Sequence, residues 1–197
     1  GDLLTSLRFD LPWGARFLHD RDWHLFRQTP QAAVLRLVDK GSFIAQCNIA
    51  IGLRGIGRTD PDRYALTILN NILGRGMSSR LFKEVRERRG LAYSVGSGVS
   101  RYSDIGTMSI SAGVTLEHLE EATQVIRDQL FRMRDELAGE EEVTKARDFS
   151  TGNFRLGLES TMALAQRAGE MLLMTGAIEP IEDVVASIAA VTPAEVQ

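Results

Sequence analysis

The chain has 197 residues, 44% of them hydrophobic and 25% charged, which suits one core-forming domain and excludes a disordered or fibrous chain. With 26 acids against 23 bases the net charge is −3, so no general pull toward nucleic acid is expected. A single cysteine excludes an internal disulfide and a cysteine-based zinc cluster, and no apolar run approaches the roughly 18 residues that span a bilayer.

In chain order, residues 1–30 carry Pro12, Trp13, Gly14, Trp23 and Pro30 in no regular period. They read as a linker or N-terminal extension with a short strand or helix, and residues 31–197 as the domain proper. The first residue is Gly1 rather than Met, as in a piece cut from a longer chain, so no targeting segment is inferred or excluded. Ala32–Val38 is apolar and β-branched, and Lys40-Gly41 supplies a turn. From Phe43 to Leu53, Phe43, Ala45, Cys47, Ile49 and Ile51 alternate with Gln46 and Asn48, a strand with one apolar face. Asp60-Pro61 opens a helix with Asp60 as cap. Ala65, Ile68, Leu69, Ile72 and Leu73 then repeat at helical spacing up to Gly74.

A second helix runs from about Ser78 to Arg89 and stops at Gly90; strands follow at Ala92–Ser100 and Gly106–Val114. In the latter, Met108, Ile110, Ala112 and Val114 share one face and Thr107, Ser109 and Ser111 the other. Thr115 caps a helix whose stripe is Leu119, Ala122, Ile126, Leu130, Met133 and Leu137. Helices follow over about 140–160, 161–175 and 179–190, and Thr192-Pro193-Ala-Glu195 begins one more, inside which the chain stops. Together these elements predict an α+β fold. Its sheet is mixed or mainly antiparallel, helices pack on one face, and the C-terminal part is helical.

Most candidate motifs dissolve on inspection. Gly74-Arg-Gly-Met-Ser-Ser79 follows a helix and lacks the lysine of a phosphate loop, so it reads as a tight connection. His19, His24 and His118 do not assemble a metal site, since position 122 is Ala. Ser97, between Gly96 and Gly98, lacks the full nucleophile elbow, and Cys47 reads as a buried small hydrophobe. The basic run Arg80–Arg89 is broken by Glu84 and Glu87 and reads as a solvated helix face. Read alone, Arg86 is a surface charge and Tyr93 an inward strand aromatic.

The informative stretch is Leu73-Gly-Arg-Gly-Met-Ser-Ser-Arg-Leu-Phe82, then Arg86-Glu-Arg-Arg-Gly-Leu-Ala-Tyr-Ser-Val95. Asp60-Pro-Asp-Arg-Tyr-Ala-Leu66 precedes it and Thr192-Pro-Ala-Glu-Val196 follows. Over about residues 31–197 the chain resembles the C-terminal, non-zinc-binding domain of M16 (pitrilysin-like) metallopeptidases, closest to the bacterial and mitochondrial processing-peptidase branch. The resemblance implies that Arg86 and Tyr93 reach a peptide substrate. The guanidinium would hold a carbonyl or carboxylate, and the phenol would donate to the developing oxyanion. A sheet edge would pair with the extended peptide backbone.

Active members bind zinc through His-x-x-Glu-His in the homologous half, and this sequence has no such motif. The resemblance therefore implies a domain with no metal ligands, inactive alone. It would be paired, in the same chain or another, with a zinc-bearing catalytic half, in the bacterial cytoplasm or periplasm. The alternative is a non-catalytic scaffold or assembly subunit like the core proteins of the cytochrome bc1 complex.

Overall fold

The computed structural model describes residues 46–197 and, ahead of them, the backbone of two strands, β1 (Trp23–Gln28) and β2 (Ala32–Val38). The readings of Trp13, His19, Phe43 and Ala45 lie outside the described residues. β3 (Gln46–Gly55), β4 (Ala92–Arg101) and β5 (Gly106–Thr115) complete a five-stranded sheet in the order β1-β2-β3-β5-β4. Every neighbouring pair is antiparallel. The sheet thus takes in β1, which falls within the first 30 residues, and β4 forms its opposite edge.

The alternation seen in the sequence sets the two faces. Cys47, Ile49 and Ile51 of β3 and Met108, Ile110, Ala112 and Val114 of β5 are buried, while Asn48, Thr107, Ser109 and Ser111 face water. Ile51 stands opposite Ile110, and Ile49 opposite Ala112, so the register joins apolar side chains across the ladder. The helices close over this apolar face, giving the α+β arrangement expected.

Those helices are α1 (Arg63–Gly74), a π-helical segment (Phe82–Glu87), α2 (Leu119–Asp135), α3 (Glu140–Leu156), α4 (Thr161–Thr175), α5 (Ile181–Ala190) and α6 (Pro193–Val196). In α1, Ala65, Ile68, Ile72 and Leu73 turn into the core. Gly74 is needed where α1 ends, because a Cβ there would sit 2.6 Å from the Ser97 backbone nitrogen on β4. In α2 the buried stripe is Leu119, Ala122, Val125, Ile126 and Met133.

Boundaries depart from the sequence reading at three places. Asp60 does not cap α1; its carboxylate accepts from the Asp62 N–H at 2.9 Å and closes the turn before the helix. Thr115 remains in β5, where its hydroxyl lies 3.1 Å from His118 Nδ1, and α2 begins at Leu119. Leu137 lies beyond the end of α2 and is exposed. At α6, by contrast, the capping box forms: Thr192 Oγ1 accepts from the Glu195 N–H, and Glu195 Oε2 accepts from the Thr192 N–H at 2.7 Å.

A candidate substrate-facing strip at the sheet edge

Arg86 and Tyr93 both sit on departures from regular geometry, a feature not foreseen from the sequence. The helix expected over Ser78–Arg89 is wound wider than an α-helix. The Arg88 N–H reaches the Lys83 carbonyl, five residues back, at 2.9 Å, and the helix closes beyond Gly90 with the Leu91 N–H on the Val85 carbonyl at 2.9 Å. Leu81 and Val85 are fully buried and fix this segment against the core, which leaves Arg86 turned outward. Its guanidinium lies over the Phe82 ring, 5.0 Å from the centroid. Gly90, at φ +62, reverses the chain, and the buried Leu91 and Ala92 lead into β4.

Tyr93 follows at once, on a β-bulge. Ala92 pairs with Val114 and Ser94 with Gly113, so Tyr93 is the extra residue of β4. Tyr93 and Ser94 are both exposed, Tyr93 by 57%. The expectation of an inward aromatic at Tyr93 is thereby corrected: the bulge holds the ring out of the core. A signal for this was present, since Ala92, Val95 and Val99 are spaced by three and then four, which breaks the two-residue strand period once. Among the described residues no strand pairs with the outer edge of β4, so this end of the sheet offers free backbone donors and acceptors beside Tyr93.

The rest of the stretch from Leu73 to Val95 builds the support. Gly76, at φ +92, makes the connection after α1, and its carbonyl accepts from the buried Ser79 hydroxyl at 2.7 Å. Arg80 is not a solvated charge: Nε and Nη2 grip the two Glu142 oxygens at 2.9 and 2.6 Å, tying the π segment to α3. Glu84 accepts from both Arg88 and Arg89, and these hydrogen bonds, Arg89's first, hold its carboxyl below the ordinary glutamate range. Ser97 donates to Asn70 Oδ1 at 2.7 Å, a structural commitment that leaves no nucleophile there. Cys47 is buried near the start of β3.

Among the described residues no three His, Cys, Asp or Glu side chains gather to hold a metal ion, and their donor set does not fit zinc. No described helix is long and apolar enough to cross a membrane.

Residues 5–149 match the family model described as the peptidase M16 inactive domain. The chain is 40% identical over 152 residues to an uncharacterized zinc protease of Streptomyces coelicolor, covering 77% of this chain and 33% of that protein. A solved peptidase M16 inactive domain from Pseudomonas fluorescens superposes with a TM-score of 0.71 at 27% identity, over 78% of this chain and 37% of that one. A chain of Complex III2 from Candida albicans shares the fold, with a TM-score of 0.70 at 19% identity over 79% of this chain and 39% of that one. The chain spans about a third of the length of the curated relatives it matches. With a model match over most of its length, and with the fold and the Leu73–Val95 support in place, the chain belongs to the M16 peptidases, as their inactive domain.

Proposed function

We propose that this domain is the non-zinc-binding half of a zinc-dependent M16 endopeptidase. It closes the chamber over an extended peptide and does no hydrolysis alone. Zinc and the residues that bind it belong to a homologous catalytic half, carried in the same chain or by a partner subunit. The description of the relatives as zinc proteases supports this assignment.

The observation that carries the reading is the pair of irregularities that turn Arg86 and Tyr93 out of an otherwise regular edge. A widened helical turn and a bulge each interrupt regular hydrogen bonding, and both recur where side chains are aimed at a ligand. The peptide adds to the free edge of β4 through its backbone, which accommodates many sequences. Arg86 offers planar donors to a peptide carbonyl or carboxylate. Tyr93 donates its phenolic proton in a hydrogen bond to the carbonyl oxygen as that oxygen gains negative charge.

The test uses the whole protein, catalytic half included, with a quenched fluorescent peptide. Tyr93→Phe and Arg86→Ala are each expected to lower kcat/KM by about 10²-fold, the scale of a lost oxyanion donor. Both side chains are exposed, so the melting temperature should stay within roughly 2 °C. Turnover unchanged in both variants would sink the substrate-contact role. A whole protein with no chelator-sensitive hydrolysis would favour the scaffold reading instead.

A further inference from the structure

A cavity of about 870 Å³ lies between the start of α1, the end of β4 and the helices α3, α4 and α5. Five arginines line it, Arg58, Arg63, Arg75, Arg101 and Arg167, against two carboxylates, Glu170 and Glu179. A chain with a net charge of −3 thus encloses a cavity whose lining carries three positive charges in excess, five minus two.

The acids present do not neutralise it. Glu179 is committed to Arg63 at 2.8 Å and to the Tyr64 hydroxyl at 2.8 Å, and Glu170 accepts from Gln166 at 3.0 Å. Among the described residues, Arg58, Arg75, Arg101 and Arg167 have no carboxylate partner, whereas Arg80, Arg88, Arg89, Arg132 and Arg147 elsewhere each have one. Arg101 donates to the Arg63 carbonyl and to Thr67 Oγ1, and its Nε is buried without an acceptor; Arg58 Nε is likewise buried and unmatched. Burial, and then the neighbouring Arg63 and Arg58 charges, push the Arg101 guanidinium below its ordinary range. Arg58 and Arg101, like charges brought together and partly buried without a carboxylate, cost stability unless a counter-charge arrives.

Apolar side chains line the same cavity: Phe149, Phe154, Met171 and Ile178 are among its lining, and Arg167 stacks over Phe154 at 5.5 Å from the ring centroid. The volume falls in the range of small-molecule sites, and a few convergent charged groups against an apolar wall is their usual make-up.

We propose that this cavity binds a small molecule carrying a dianionic head, a phosphate monoester or a pair of carboxylates, on an apolar body, with the head held between Arg58 and Arg101 and the body against Phe154. Guanidinium forks match phosphate and carboxylate geometry equally, so a phosphate monoester and a dicarboxylate share the required chemistry. The cavity shares no lining residue with Arg86 and Tyr93.

Calorimetric titration of this chain with phenyl phosphate, phenylsuccinate and inorganic phosphate tests the proposal. At least one phenyl-bearing dianion should bind about tenfold more tightly than inorganic phosphate, and which of the two wins identifies the oxyanion. Affinity should fall as salt rises from low to physiological strength. Arg58→Gln should weaken binding by about tenfold, while Arg132→Gln on α2, outside the cavity, leaves it unchanged.

Without ligand, Arg58→Gln should melt at the same temperature as the parent chain or higher, because it removes a like charge beside Arg101. A purely structural arginine would give the opposite sign. Arg101→Met should abolish binding; because Arg101 also bonds α1, the Arg58 variant carries the decision if it fails to fold. Binding of none of the three probes at millimolar concentration would overturn the proposal. So would binding indifferent to the Arg58 substitution.

Discussion

On the covered face of the sheet, β3 and β5 present Cys47, Ile49, Ile51, Met108, Ile110 and Val114, all shut away from water. On the open face the same strands present Asn48, Ala50, Gly52, Thr107, Ser109 and Ser111, and β4 adds Ser94, Gly96, Gly98 and Ser100. One face holds the fold together through buried apolar area; the other is small, polar and nearly featureless. Tyr93 is the one large aromatic that β3, β4 and β5 turn to solvent. The contrast teaches how to read substitutions. Changes on the covered face register as stability, and changes on the open face register as function or not at all.

The largest expected effect that sharpens this contrast is Ile110→Ala. The side chain is fully buried, and its loss should cost about 2–5 kcal/mol, read as a lower denaturation midpoint with an unchanged m-value. Next comes Gly74→Ala at the contact between α1 and β4. Ser97 backbone, not a flexible side-chain end, blocks the new methyl, so a loss of about 2–3 kcal/mol and a melting temperature lower by roughly 4–10 °C should follow. An unchanged melting curve for either would mean that the covered face does not carry the stability assigned to it.

Glu84→Gln should have a smaller effect, about 0.2–1 kcal/mol near neutral pH, because its partners Arg88 and Arg89 are largely exposed. Glu84's carboxyl is held below its unfolded value of about 4.3, so its contribution is complete above that pH and lost as pH falls through the lower folded value. Parent and variant melting temperatures should therefore converge as the medium is acidified below about pH 4. A gap that widens in acid would contradict the pairing. Smallest of all is Gly98→Ala on the open face, where a Cβ meets only Ser109 Oγ at 3.8 Å. It should be neutral or stabilise by about 0.4–1 kcal/mol, and a loss comparable to that of Gly74→Ala would break the comparison.

The regular parts of this structure were legible because period reports face. Met108 to Val114 alternated, and Ala65 to Leu73 repeated by threes and fours, so burial followed. Boundaries set by competing hydrogen bonds were not legible. Thr115 could serve either a cap or a ladder, and pairing with Gln46 in the sheet won. The candidate strip was named from a resemblance rather than from period. The bulge that turns Tyr93 outward left only a one-residue slip between Ala92 and Val95, and the π winding left no local signature. The cavity arginines were invisible for another reason. Positions 58, 63, 75, 101 and 167 form no pattern along the chain and meet only when the β3–α1 connection, β4 and α4 fold together.

Cys47 gives this architecture a built-in reporter. It is the sole thiol of the chain, it is 1% exposed, and it lies in mid-sheet opposite Val38 on one side and Val114 on the other. Its side chain lies on the covered face, so an alkylating reagent can reach it only when the helices lift from the sheet. Its rate of modification in the native buffer therefore clocks the parting of helices from sheet, without any label being introduced.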